Sequence, residues 1–406
     1  MNQSYSRSVS EIKSVSSPQP VNHVEPVNHV EPVNHVEPVS YVESVNSLCW
    51  NQRFYLNLEK EVHPFDEPHL FRPLNKAYNG NTTFWSTPSP EPDLDDAFWQ
   101  KVQADFMHDS SNLIQDSSTC MHDSSTFIQD SSAFIQDSSI GKAHPVLCSA
   151  AQNLAASISR WQPDPEKIIF VSILRAGVPI TEWLCTILPG SVGTALSLFV
   201  GIGIDKVALA AIERDFPDRS IVFVDGWTGR GGVARELAKL DKGPLAVLID
   251  PWGWADFSGI QEDVFCPSAC FTGVATLGFS RTFFVDDDSL FSAYLFSEEF
   301  SKTELVMSWQ KSSPVYSSAP SFIRQAEVKR FHADTKLRIH SNEVCRALIN
   351  AAPEILLFAD DKQFAKDSFS LLLQLADQRK IASEFNVGHL KELKTKVACT
   401  LSTVAA

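Results

Sequence analysis

Residues 221–237 read IVFVDGWTGRGGVAREL, and this stretch decides the fold. Four apolar β-formers lead into Asp225, a loop holding Thr228, Gly229, Arg230, Gly231 and Gly232 follows, and a helical pattern covers 231–240. Strand, acid, glycine-rich loop and helix in that order form the repeating unit of an open parallel sheet, whose ligands sit beyond the carboxyl ends of the strands. The three glycines let the backbone turn tightly and bring N–H groups close to an anion. The helix start adds a positive dipole end, and Thr228 offers a hydroxyl. The assembly suits a phosphate monoester, with Asp225 accepting hydrogen bonds from ribose hydroxyls. A turn that needs glycines only to reach the next helix is the plainer alternative.

The neighbouring segments extend the pattern. A helix is expected over 145–160, with apolar positions Val146, Leu147, Ala150, Leu154 and Ile158. KIIFVSI (167–173) reads as a buried strand and 179–187 as a helix; 220–224 and 245–249 read as two more buried strands. Short apolar strands alternating with helices predict a parallel sheet flanked by helices on both faces. The first strand runs into SILRAGVP (172–179). There Arg175 offers its planar donor fork to a diphosphate, and the Ala176–Gly177 backbone approaches closely. The alternative is a helix-start turn with an exposed Arg. After the third strand comes DPWGWAD (250–256), where Asp250, Trp252 and Asp256 are candidates for an acceptor site. Trp252 and Trp254 either stack on a base or pack at its rim. Ser280 and Arg281 are weaker phosphate candidates.

The loop after 221–224 is similar to the phosphoribosyltransferase signature, except that Gly226 stands where that family carries a second acid. More narrowly, SILRAGVPI, IVFVDGWTGRGGVARELAKL, LAVLIDPWGWAD and PSACFTGVATLGFSRTF resemble the StiP family, over about 165–406. That resemblance implies a phosphoribosyltransferase-like domain, a C-terminal pelota-type RNA-binding domain, a place among bacterial stress or tellurium-resistance genes, and the designation cysteine protease. This chain departs from the family at FVGIGID (199–205), where an Arg-containing segment is expected, and it lacks an N-terminal Gly-Ser-Tyr motif.

KLRIHSNEVCRALINAAPEILLFAD (336–360) combines a short strand, an amphipathic helix and a buried strand. It is similar to the pelota and kink-turn-binding ribosomal family, in which an Asn-Glu pair and a following basic residue read RNA. Those positions are Asn342, Glu343 and Arg346 here, and an N-cap with an exposed Arg is the simpler role.

The bulk numbers bound these readings. The chain has 406 residues and a net charge of −15, which disfavours loose whole-surface binding to nucleic acid. Residues 326–406 hold 12 Lys+Arg against 10 Asp+Glu, so any RNA contact belongs there. Eight scattered cysteines without a CxxC pair fit a reducing, cytoplasmic setting, and no metal site is expected. MNQSYSRSVSEIK has no apolar core after a basic start, so no signal peptide is expected. The uncharged run 184–204 contains Pro189 and glycines, and reads as helix–turn–strand through a globular core rather than a membrane span.

Two repeats interrupt the chain. VNHVEP recurs over 21–39, with Pro blocking helix and strand. A seven-residue unit built on Asp-Ser-Ser spans 108–140 and favours turns over a helix interior. The expected division is a tail at 1–48, a partly ordered segment at 49–107, the repeat insert at 108–140, an α/β domain at 141–310, a linker at 311–325 and the C-terminal domain at 326–406.

Three functions follow. The first is transfer of ribose 5-phosphate from phosphoribosyl diphosphate to an unknown acceptor, with Mg²⁺ on the diphosphate and catalysis by positioning. The second is a cysteine peptidase, for which His144 with Cys148, close in sequence, and Cys270 are the candidates; no flanking signature marks either thiol, and structural thiols are the plainer reading. The third is a non-catalytic RNA-binding regulator that senses phosphoribosyl diphosphate. The partners expected are a phosphorylated sugar and structured RNA, and no oligomeric state is implied.

Overall fold

Strands buried on both faces, such as Ile168–Ile173 and Leu245–Ile249, have no polar side to show to water, so helices must cover them. The computed structural model describes residues 51–72, 85–89, 145–266, 269, 277–297, 300, 336–351 and 353–401. The two repeats, 1–50 and the linker at 311–325 lie outside the described residues.

In chain order the elements are β1 (Gln52–Phe54), β2 (Asn57–Val62), α1 (Pro145–Trp161), β3 (Ile168–Ile173), α2 (Gly177–Ile187), β4 (Val192–Leu196), β5 (Leu198–Phe199), β6 (Gly203–Ile204), α3 (Lys206–Asp215), β7 (Ser220–Trp227), α4 (Gly232–Leu237), β8 (Leu245–Ile249), β9 (Phe257–Ile260) and β10 (Ser292–Phe296). A second group follows: β11 (Leu337–Ile339), α5 (Ser341–Asn350), β12 (Pro353–Phe358), α6 (Lys362–Ser368), α7 (Ser370–Gln378), β13 (Ala382–Glu384), α8 (His389–Glu392) and β14 (Val397–Leu401).

The main sheet has six strands in the order β1-β4-β3-β7-β8-β9, and every pairing in it is parallel. The expected mixed α/β architecture, a parallel sheet flanked by helices, is present. Phe170, Val222, Val224, Ala246 and Leu248 share one apolar cluster with Leu154 and Ile158 of α1 and with Ile180 and Leu184 of α2. Of the positions expected on the buried face of α1, Val146 is the exception, at 37% exposed. Gly177 is where α2 meets the sheet: a Cβ there would stand 2.1 Å from the Val224 carbonyl oxygen. The run 184–204 passes out of α2 and into β4, as a globular chain would. No described helix is long and apolar enough to cross a membrane.

The segment before the repeat insert contributes more than the sequence suggested. β1 is the edge strand beside β4, and a buried polar network clasps it. Gln52 Nε2 donates to the Val178 carbonyl and to Glu182 Oε1, both at 2.8 Å. The Ser172 hydroxyl lies 2.7 Å from both Gln52 Oε1 and Thr181 Oγ1. Burial pushes the Glu182 carboxyl above its ordinary range, against the pull of the Gln52 hydrogen bond. β2 pairs with β10 in a separate two-stranded ladder. Asp205 caps α3 through the Ala208 N–H at 2.8 Å and holds the Phe291 N–H at 2.7 Å, tying the two regions together.

The C-terminal sheet has the order β11-β14-β12-β13, with β14 antiparallel to both neighbours and β13 parallel to β12. Helices α5 and α7 pack on one another, and Val344, Cys345, Leu348 and Leu356 of this group share one buried apolar cluster with Phe170, Val222 and Leu248 of the main sheet.

Candidate functional site

β3 and β7 are adjacent parallel strands, so the loops that follow them, with Arg175 and with Thr228, open at the same edge of the sheet. β7 is longer than expected. It runs on to Trp227, and Asp225 pairs within the ladder with Val247 instead of ending the strand. Asp225 Oδ1 accepts the Gly226 N–H at 2.7 Å. Burial drives its carboxyl up to about 7; the Gly226 hydrogen bond and Arg346 oppose the rise, and Glu343 adds to it.

The glycine loop is closed rather than open. The Thr228 N–H donates to the Ile249 carbonyl at 3.0 Å, and the Thr228 hydroxyl donates to Asp250 Oδ1. Asp250 is fully buried and accepts the Ala255 N–H through Oδ2 at 2.7 Å. Gly229 faces Glu343: a Cβ at Gly229 would lie 3.5 Å from that carboxylate. Gly231 has φ 73°, and a Cβ there would come within 2.2 Å of the Trp254 ring, so glycine is required by the indole as well as by the turn. Arg235 lies over the same ring at 5.2 Å, and its Nη1 donates to the Arg230 carbonyl at 2.7 Å. Gly232 sits against Val200.

Arg175 is 4% exposed, and its Nη1 donates to the Phe279 carbonyl at 3.2 Å, which anchors the chain entering β10. Ala176 is buried at the start of α2. Ser280 is buried, donates to the Arg281 carbonyl at 2.8 Å and accepts from the Tyr294 N–H at 2.9 Å; Arg281 donates to the Ser89 hydroxyl at 3.1 Å. Asp256 accepts the Leu245 N–H at 2.8 Å, at the start of β8 and away from the carboxyl edge. Trp252 is 1% exposed and donates through Nε1 to the Leu393 carbonyl at 2.9 Å, so it fills a core rather than stacking on a base.

The C-terminal group closes over this edge. Asn342 is 1% exposed: its Oδ1 accepts the Cys266 N–H at 2.6 Å and its Nδ2 donates to the Val264 carbonyl at 2.9 Å. Glu343 lies 3.5 Å from Arg346 and 3.8 Å from Arg338. The three positions expected to read RNA are thus turned toward the sheet edge. Sequence reasoning passed over the residue that organises this contact, Asp263. Its carboxylate accepts the Ser341 N–H (2.8 Å), the Ser341 hydroxyl (2.7 Å) and the Lys396 N–H (2.8 Å), with Thr395 Oγ1 at 3.1 Å. Only an acid following an apolar strand marks Asp263 in the sequence, and no spacing motif goes with it. His340 lies beside it, 1% exposed, with φ 71° and its ring edge-on to Trp252 at 5.4 Å. Neither ring nitrogen has a hydrogen-bond partner among the described residues. Burial lowers the His340 pKa, against the pull of Asp263, Asp250 and Glu343.

Among the described residues no group of three or more His, Cys, Asp or Glu could hold a metal ion. Cys148, Cys266, Cys345 and Cys399 are buried, and Cys185 is partly so. Burial pushes the Cys185 thiol up to about 12 and raises Cys399 further still. Cys49, Cys120, Cys270 and His144 lie outside the described residues. At the opposite, amino edge of the sheet a groove of about 390 Å³ is walled by Trp161, Ile169, Ile212, Phe216 and Ile221.

The fold and this edge define an α/β chain whose parallel sheet is covered at its carboxyl end by a second, smaller sheet. Residues 102–310 match the family described as tellurite-like stress resistance cysteine protease StiP, and the chain belongs to that family. It is 36% identical over 116 residues to a protein named cysteine protease StiP from Acinetobacter baylyi (strain ATCC 33305 / BD413 / ADP1). That overlap takes in 25% of this chain and 30% of the relative, so the chain spans about a third of the length of the relative it matches.

These names overturn transfer of ribose 5-phosphate from phosphoribosyl diphosphate as the leading expectation. The geometry gives the physical reason. Asp225 and Glu343 face the loop meant to hold a phosphate, and the Thr228 hydroxyl is taken up by Asp250. Arg175 is turned onto a backbone carbonyl.

Proposed function

We propose that the chain is a thiol peptidase of stress resistance, with Cys270 as its nucleophile. The observation that carries the reading is the match over 102–310 to a family described as a cysteine protease. A thiol peptidase needs a thiolate that a nearby base can generate, and apolar burial works against one. That disfavours Cys148, Cys185 and Cys266 within the matched region. Cys120 belongs to the repeat unit QDSSTCM, where the sister units place Leu113, Phe127 and Phe134, so it varies an apolar position. Cys270 remains.

Chain connectivity supports a base for it. Ala269, which precedes Cys270, is buried and donates its N–H to the Cys266 carbonyl at 2.9 Å. α1 runs antiparallel to β9, with Trp161 near Phe257 at 6.0 Å and Asn153 reaching the Gly259 carbonyl at 3.4 Å. Its first residue, Pro145, therefore lies toward the carboxyl edge, and His144 directly precedes it. We assign His144 as the base.

A peptidyl electrophile that captures active-site thiolates tests the assignment. Peptide mapping should find the adduct on Cys270, and loss of His144 should slow capture. An adduct confined to Cys185 or Cys148 would overturn it.

A further inference from the structure

The groove of about 390 Å³ at the amino edge of the main sheet is large enough to take up side chains. Trp161, the last residue of α1, stands 44% exposed on its wall, and Phe216, directly after α3, is half-buried there. β1 enters the fold beside it. Gln52 of β1 and Phe170 of β3 both pair with Gly193 of β4, so Asn51 stands at the height of Ile169 on the groove floor. Two strand spacings, about 10 Å, separate them. Hydrogen bonds from Asn51 and Gln52 to Glu182 fix that point of entry. Arg53 lies over the Phe216 ring at 5.4 Å, so β1 touches the groove wall itself. The fifty residues before β1 therefore end next to the groove.

The six-residue frame of the N-terminal repeat runs on to this point. VNHVEP at 33–38 is followed by VSYVES (39–44) and VNSLCW (45–50). In these last two units the proline gives way to Ser44 and Trp50, and Tyr41 and Leu48 replace a His and a Val. Losing proline removes the block on regular backbone pairing, and the new side chains are large and apolar. Glu43 is the one charged residue from Tyr41 to Trp50. We propose that residues 41–50 dock in the amino-edge groove of their own chain, with Leu48 and Trp50 against Trp161 and Phe216. Leu48 is three residues before Asn51, a span of up to about 10 Å, which matches the two strands to be crossed. Removing an indole and an isobutyl group from water supplies the favourable term. The exposed Lys242–Glu213 pair, at 2.7 Å, gives the docked segment a polar border. The inference goes beyond the peptidase reading and does not depend on it, because its readouts are labelling and amide exchange.

Hydroxyl-radical footprinting of the full chain tests the docking. Trp161 should be labelled several-fold more slowly in wild type than in Leu48→Ser/Trp50→Ser, while the buried Trp183 is labelled equally in both. That variant alters the segment alone, so the groove itself stays as built. From the groove side, Trp161→Ser should raise amide exchange over 41–50 by about tenfold or more and leave β3 protected. Equal labelling of Trp161 in wild type and the double variant would overturn the proposal. Exchange over 41–50 at the rate of an unstructured peptide in wild type would also overturn it. Protection of 41–50 that disappears on dilution together with a dimer, read by light scattering, would overturn it in favour of the segment of a second copy.

Discussion

Asp263 holds Ser341 twice, through the backbone N–H at 2.8 Å and through the hydroxyl at 2.7 Å, both on the same carboxylate oxygen. A carboxylate 3% exposed tolerates its charge only because such donors replace water. Asp263→Ala leaves those donors unpaired. It should lower stability by roughly 3 kcal/mol, measured by urea unfolding followed through tryptophan fluorescence.

Two glycines should respond oppositely to alanine. At Gly177 the added Cβ meets the Val224 carbonyl oxygen at 2.1 Å, and backbone there cannot yield cheaply. Gly177→Ala should cost about 3 kcal/mol or prevent soluble expression. At Gly388 nothing lies within 4 Å and φ is −59°, so Gly388→Ala should leave Tm unchanged or raise it slightly. Thermal melts of the two variants beside the wild type decide the matter.

Asp225 sets one pH dependence. Its folded pKa, about 7, lies above the unfolded value near 4, so the folded state holds a proton that the unfolded chain releases in that window. Its contribution to stability is full below about pH 4, falls as pH rises, and is gone above about 7. Asp225→Asn keeps an acceptor for Gly226 and removes the titration. Relative to wild type, the variant should gain stability between pH 5 and pH 8, and equal Tm differences at the two pH values would count against the burial argument.

His340 has the opposite sign. Burial holds its folded pKa below the ordinary value, so the unfolded chain takes up a proton first and stability is lost as pH falls through about 6.5. Because neither ring nitrogen makes a hydrogen bond among the described residues, His340→Phe forfeits none. The variant should match wild type within about 2 °C at pH 8 and exceed it at pH 5, as read by differential scanning calorimetry.

The parallel sheet was legible because its strands are buried on both faces. β8 is an unbroken apolar run, β3 is interrupted only by the buried Ser172, and Asp225 with the glycines after it marks a strand-to-helix turn. β1 was not legible. Three residues, QRF, take their strand state from pairing with β4 and from the Gln52 clasp to Glu182, a partner 130 residues away. The reading of the glycine loop failed for a related reason. Thr228, Gly229 and Gly231 look like an anion cradle in sequence, but the groups that fill it, Asp250, Glu343 and Trp254, come from elsewhere in the chain. Asn342 and Trp252 misled in the same way. Each is a residue type that suits nucleic acid, and here each is bonded to a distant backbone group.

Hydrolysis of casein and of a mixed fluorogenic peptide pool by wild type, Cys270→Ala and Cys148→Ala is the most direct test of the peptidase assignment. Cleavage by wild type and Cys148→Ala, with loss of at least about a hundredfold in Cys270→Ala, is the predicted result. Undiminished cleavage by Cys270→Ala, or no cleavage by wild type, would contradict it.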